Sequence, residues 1–295
     1  MKKEQRQMTA EWNRNKYLIG KAVFFSISLA LMSLFTTLAP LYGQQPLETE
    51  TARPLKAGVS EVQTTFEYQT SSEGTERAAA LGYEYGITDR LSFLAEPVFY
   101  TSIDPKAGAE AKGLGDFEAT LSYLFGHERH RLPALAAAVE VKAPTARNLL
   151  IGTGKTDFAS YVFGSKRFGN LDMHTNVGYT FVGKPAGAAQ ADNINNVAFA
   201  GEYFLGKRNE ILAEILANTT SGSGEGVTSN SSNQSSSSEV TGGELIGMIG
   251  FRHHFRPEVA FAFGMNYDNN GAILIRMGFT FNMNSQKRKG PENWK

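Results

Sequence analysis

Residues 61–70 read EVQTTFEYQT, and the alternation in them decides the fold. Successive side chains of an extended strand point to opposite faces. Val62, Thr64, Phe66 and Tyr68 therefore share one side, and Glu61, Gln63, Thr65, Glu67 and Gln69 share the other. One face carries rings and branched carbons, and the other is wet. The pattern returns where Phe117, Ala119, Leu121, Tyr123 and Phe125 oppose Asp116, Glu118, Thr120 and Ser122. It returns again where Val177, Tyr179 and Phe181 oppose His174, Asn176, Gly178 and Thr180, and where Ile273, Ile275, Met277, Phe279 and Phe281 oppose Arg276, Gly278, Thr280 and Asn282.

Working outward with the same period predicts twelve strands, over 61–70, 76–86, 90–100, 114–125, 132–142, 155–167, 170–182, 193–205, 209–218, 241–254, 258–267 and 271–283. Twelve is an even number, as bacterial single-chain barrels have. The connections alternate in length. Ile87 to Asp89, Gly126 to Arg131, Phe168 to Asn170, Gly206 to Arg208 and His254 to Pro257 are tight, whereas Thr101 to Gly113, Ala143 to Gly154, Gly183 to Asp192 and Thr219 to Val240 are long. Short turns on one rim and long loops on the other is the asymmetry of outer-membrane barrels, with the short side periplasmic. Ser71 to Thr75 and Asp268 to Gly271 are short for the long-loop rim. A soluble β-sandwich would show the same alternation. The aromatic apolar face, the even count, the loop asymmetry and an export signal together favour an all-β, transmembrane, antiparallel up-and-down β-barrel over 61–283.

Two places resist this reading. Pro97 lies within the third strand, and a closed barrel has no edge to host a residue without an N–H, so a bulge is expected there. In 155–167, Phe158 and Val162 fall opposite Tyr161 and Phe163, so both faces are apolar.

The export signal is at the start. Lys2, Lys3, Arg6, Arg14, Lys16 and Lys21 precede the apolar run Ala22 to Leu38 (AVFFSISLALMSLFTTL), the order of a secretory signal peptide. A membrane anchor is the alternative, but five Ser and Thr residues dilute the run, and Gly43 offers a small residue for cleavage before Gln44. The expected layout is a signal peptide over 1–43, a periplasmic N-terminal segment over 44–60, the barrel, and a periplasmic tail over 284–295. No later stretch is long and apolar enough for a spanning helix, so strands must do the crossing, and a closed barrel is the form that satisfies its backbone in lipid.

Composition removes several functions. Lys plus Arg equals Asp plus Glu at 29 each, and discarding 1–43 leaves 23 cations against 27 anions, so no basic face for nucleic acid is expected. There are no cysteines, which excludes disulfides, thiolate chemistry and a lipoprotein anchor. The loop 219–240, TTSGSGEGVTSNSSNQSSSSEV, has no aromatic and two charges, and reads as an exposed, unstructured loop.

If the apolar face meets lipid, the lumen is lined by Glu67, Glu84, Glu96, Asp116, Glu118, Glu140, Lys142, His174, Glu202, Glu214, Glu244, Arg252 and Arg276. Carboxylates predominate, which in a hydrated pore favours cations or neutral polar solutes. Equally, these groups can pair and close a narrow lumen. Folding the chain about 126–131 sets Asp116 opposite Lys142 and Glu118 opposite Glu140. His174-Thr175-Asn176 invites comparison with a barrel phospholipase using Ser, His and Asn, but no serine stands two residues away, and a satisfied luminal histidine is the simpler reading. His127, His130 and the pair His253-His254 sit in or beside turns without further metal ligands. Gly152-Thr153-Gly154-Lys155-Thr156 lacks the leading glycine of a phosphate loop and precedes a strand. No catalytic residue, cofactor or metal site is assigned, and no enzymatic activity is expected.

The middle of the chain resembles the outer-membrane barrel family named for the meta-pathway of phenol degradation. The resemblance is carried by Gly113-Leu114-Gly115-Asp116, Pro144-Thr145, Gly152-Thr153-Gly154 with Asp157, and His174 to Tyr179 (HTNVGY), over about residues 80–280. Ala146 stands where the family usually has glycine. The resemblance implies an outer-membrane barrel taking up small, often hydrophobic or aromatic, compounds, and it brings no catalytic residues. The expected function is a passive channel or uptake barrel in contact with outer-membrane lipid and a small-molecule solute. A non-transporting surface barrel acting through its loops is the second reading, and a lipid-modifying enzyme the third.

Overall fold

A computed structural model describes residues 48–184, 193–219 and 244–283. The signal peptide 1–43, the tail 284–295 and all but the first residue of the loop 219–240 lie outside the described residues. The strands are β1 Ser60–Thr70, β2 Gly74–Gly86, β3 Leu91–Pro105, β4 Ala111–Gly113, β5 Phe117–Gly126, β6 Ala134–Ala143, β7 Asp157–Phe168, β8 Leu171–Phe181, β9 Ile194–Leu205, β10 Asn209–Asn218, β11 Glu244–Arg256, β12 Val259–Asp268 and β13 Ile273–Met283. Each wall strand pairs antiparallel with its neighbours, and β1 pairs with β13 from Ser60↔Met283 to Thr70↔Ile273, which seals the sheet into a twelve-stranded barrel. Among the described residues no helix is long and apolar enough to cross a membrane.

The alternation read from the sequence is the inside-outside pattern of this wall. Phe66, Tyr123, Phe125, Phe158, Val177, Phe181, Phe199 and Tyr267 are exposed, while Glu61, Glu118, Glu202, Glu210 and Arg252 are buried. That inversion separates the barrel from a sandwich, whose large apolar side chains would be enclosed. Dozens of exposed aromatic and branched side chains form a surface that water does not tolerate and hydrocarbon does.

The departures have local causes. The loop expected over 101–113 is partly strand: β3 runs on to Pro105, pairing with β2 as far as Gly74 and with β4 through Thr101–Ile103. Residues 114–116, expected in a strand, precede β5: Gly115 and Asp116 still exchange backbone hydrogen bonds with Val98 of β3, and the Asp116 carboxylate accepts the Ala146 N–H at 2.9 Å. The bulge required by Pro97 falls at Phe99: Ala79 pairs with Tyr100 and Ala80 with Val98, so Phe99 is skipped. The β5–β6 register also differs from expectation. The connection lies over 127–133 rather than 126–131, and although a second bulge, of one residue between Leu124 and Gly126, moves the pairing back by one, the register ends two residues from expectation, with Glu118 facing Lys142 and Thr120 facing Glu140. Glu118 does meet a carboxylate, but on its other side, where Glu96 of β3 is its partner. The poor alternation of 155–167 has its own reason: Phe163 is buried inside, packed with Leu124, Ala134, Ala136, Ala138 and Ala52.

Candidate functional site

Ala52 in that cluster belongs to no strand. Residues 48–59, placed by the sequence reading within a periplasmic segment over 44–60, lie along the inner face of the wall. Glu48 is ion-paired to Arg276 of β13 at 2.5 Å. The Thr49 N–H donates to the Glu214 carboxylate of β10 at 3.1 Å. Oriented to satisfy both partners, the Asn176 amide on β8 donates to the Glu50 carbonyl at 2.9 Å and accepts the Glu50 N–H at 2.7 Å. The Ala52 N–H donates to Ser165 Oγ of β7 at 2.8 Å. Gly58 donates to the Gly86 carbonyl of β2 at 2.8 Å. A segment touching β2, β7, β8, β10 and β13 in succession reaches strands on opposite sides of the ring, which is possible only from within. Thr49 and Ala52 are 0% exposed and Leu55 is 1% exposed. Gly86 makes room for the segment's exit, because a Cβ there would strike the Leu55 and Lys56 carbonyls.

The central anchor is Arg53. Its guanidinium spans Asp172, with Nη1 donating to Oδ2 at 2.9 Å and Nη2 to Oδ1 at 3.0 Å, and Nη2 also donates to Glu128 Oε2 at 2.7 Å. Such bidentate, charge-assisted contacts fix direction as well as energy. Burial alone would lower the Arg53 pKa, but the Asp172 carboxylate outweighs it, so the cation is held above its usual range. Burial would likewise raise Glu128 in the β5–β6 turn. The Arg167 N–H and Arg53 prevail and hold it below the usual carboxylate range.

The luminal residues singled out from sequence fall into groups. Arg276 bonds Glu67 as well as Glu48, its Nε standing 2.7 Å from Glu67 Oε1. Arg252 joins Glu202 at 3.2 Å and Glu210 at 2.6 Å, and Glu210 also contacts His254 at 2.6 Å. Lys142 pairs with Asp157 and stands 3.9 Å from Asp116. Glu140 accepts from Thr120 at 3.1 Å and from Tyr161 at 3.4 Å. Glu84 is bonded to Ser92 and the Leu55 backbone, and is paired in register with Glu61. Glu96 neighbours Glu118, and Glu244 sits at the end of β11 opposite Asn218. His174 Nδ1 lies 2.8 Å from Ser165 Oγ. The interior is thus a set of ion-paired patches around a chain segment, rather than an open ring of carboxylates.

Sequence reasoning has no luminal role for Asp172 or Glu210, although Asp172 has the parity of His174 and Glu210 that of Glu214, and it names Asp157 only within a motif. It had no signal for Glu48, Arg53 or Leu55, since 48–59 shows no period. Asp116, Lys142 and Asp157, with Thr145 Oγ1 donating to the Gly115 carbonyl at 2.9 Å, bring the three motif stretches 113–116, 144–145 and 152–157 together at the long-loop rim. A Cβ at Gly152 would come within 2.9 Å of the Asp116 carboxylate and 2.7 Å of Ala146 Cβ, so glycine is needed for this packing.

No protein-family model and no curated protein matches this sequence. Solved structures do match the fold. It is similar to an outer membrane channel from Pseudomonas putida F1, with a TM-score of 0.60 at 12% identity, covering 79% of this chain and 98% of that one. It is similar to the NanC porin, with a TM-score of 0.52 at 12% identity over 75% and 98% of the two chains. The KdgM porin in complex with disordered oligogalacturonate has a TM-score of 0.50 at 8% identity over 75% and 98%. These structural neighbours are outer-membrane channels and porins, and at such identities the likeness is one of fold.

Proposed function

We propose that this chain is an outer-membrane channel for small solutes whose pore is narrowed by its own residues 48–59. The observation that carries the reading is the inner surface itself: a twelve-stranded wall, wider than the eight-stranded kind that side chains fill, encloses charged groups and a polar segment instead of a continuous apolar core. A purely structural barrel could fill that space with hydrocarbon side chains at lower desolvation cost. The ion-paired lining supports hydrated or charged solutes, cations among them because carboxylates predominate. The likeness to the phenol meta-pathway family adds small aromatic compounds as a solute class.

Reconstitution in planar bilayers tests this directly. The expected result is small, discrete conductance steps with cation preference, enlarged when residues 48–57 are deleted. A barrel that shows heat-modifiable migration yet stays silent in both forms would end the channel reading. The enzymatic alternative gains nothing from the Ser165–His174 pair, because Ser165 Oγ is capped by the Ala52 N–H and is 1% exposed.

A further inference from the structure

One cluster inside the barrel is unexplained by a narrowed pore. Asp172 and His174 stand two apart on β8 and so share its inner face, and Glu202 on β9 pairs in register with Asp172. A ring nitrogen of His174 and one carboxylate oxygen from each of the other two lie within 4.8 Å of one another. His174 is 4% exposed, and its Nε2 is buried with no hydrogen-bond partner among the described residues. A buried, unpaired polar atom costs about 1–3 kcal/mol, which a bound ligand atom would offset.

The surrounding bonds accommodate the proton on Nδ1. Ser165 Oγ accepts the Ala52 N–H at 2.8 Å and stands 3.3 Å from Thr51 Oγ1. Letting Ser165 donate to Thr51 leaves its oxygen to accept Nδ1–H of His174, at 2.8 Å. That tautomer leaves a bare lone pair on Nε2. A histidine whose Nδ1–H is held by a neighbour while Nε2 is free is oriented as metal-binding histidines are.

We propose that Asp172, His174 and Glu202 form a binding site for a divalent transition-metal ion, and that the ion competes with Arg53 for Asp172. One imidazole and two carboxylates are a borderline donor set, suited to ions such as Zn²⁺, Co²⁺ or Mn²⁺. Bonds of about 2.0–2.2 Å require the three donors to draw somewhat closer than they now stand. What holds them apart is the cation already present. Arg53 occupies both Asp172 oxygens, at 2.9 and 3.0 Å. Arg167 adds a contact to Asp172 at 3.1 Å, and Arg252 one to Glu202 at 3.2 Å. Arg53 alone belongs to the segment inside the pore, and it retains Glu128 as a partner when Asp172 is taken. Metal binding and docking of the segment are therefore linked, and each weakens the other by the same factor.

The test is Zn²⁺ titration of the full barrel in detergent by calorimetry, with Co²⁺ as a spectroscopic probe of the same site. It needs no conductance, so it stands or falls apart from the channel reading. Wild type should take up one equivalent, with Co²⁺ giving the visible bands of a low-coordinate site. His174→Ala should weaken binding at least about 10-fold, and Arg53→Ala should tighten it about 5-fold or more. If His174→Ala disturbs heat-modifiable migration, His174→Asn, whose amide can still bond Ser165, takes its place. Absence of saturable binding, or unchanged affinity in the His174 variant, overturns the site. Unchanged affinity in Arg53→Ala overturns the competition.

Discussion

Replacing Arg53 with Ala should loosen the luminal segment without unfolding the wall, and the size of the effect follows from its contacts. Arg53 donates twice to Asp172, which is nearly fully buried, and twice to Glu128, which is about one quarter exposed. Hydrogen bonds to charged groups contribute about 1.5–3 kcal/mol each in net terms. The Glu128 half is screened by solvent and adds little. Asp172 keeps Arg167 at 3.1 Å, so it is not left as a bare buried charge. The net loss of docking free energy is then about 2–3 kcal/mol, which raises the undocked population roughly 30- to 150-fold. Amide hydrogen exchange followed by mass spectrometry reads this directly, because the Thr49 and Ala52 N–H groups are protected only while docked on Glu214 and Ser165. Exchange in peptides covering 48–57 should accelerate by that factor, while peptides from β10 and β12 stay unchanged. Unchanged exchange at Ala52 in a folded Arg53→Ala barrel would refute the claim that this residue anchors the segment.

Three further outcomes are expected. Val177→Arg, at mid-length of β8 on the exposed face, should cost about 2–4 kcal/mol of stability on refolding into lipid vesicles, as a cation in hydrocarbon does, whereas a water-facing strand would tolerate it within about 0.5 kcal/mol. Gly152→Val should displace the loop from Asp116, exposing 144–156 to added protease while heat-modifiable migration is retained. Because Glu128 titrates below its unfolded value, its contribution is present above about pH 4.5 and fades as pH falls through the folded value; Glu128→Gln should flatten that acid limb of segment protection in hydrogen exchange.

The wall was legible because its chemistry repeats every two residues: in β1, β5, β8 and β13 each side chain announces its own face. What was not legible depended on single non-repeating events. The β5–β6 connection closes over 127–133 rather than 126–131, and nothing in the polarity of these residues marks where it closes, so Glu118 faces Lys142 instead of Glu140. Pro97 did signal irregularity, and the bulge lies two residues on, at Phe99. The segment 48–59 was unreadable for a deeper reason. Its side chains contact different strands one by one, so its pattern is set by the wall's interior rather than by any period of its own. Asp172 is the opposite case. It shares parity with His174, and carrying the alternation back to the start of β8 reaches it.

The position of this segment bears on the order in which the ring can be made. It runs directly into β1, and β1 is joined to β13, the partner farthest from it along the chain, from Ser60↔Met283 onward. Contacts between such distant stretches form late, since loop closure precedes their reward. The seam that zips last is thus the one beside the residues that must end up inside. An unsealed ring admits those residues from the side, whereas a sealed one would have to be threaded from an end.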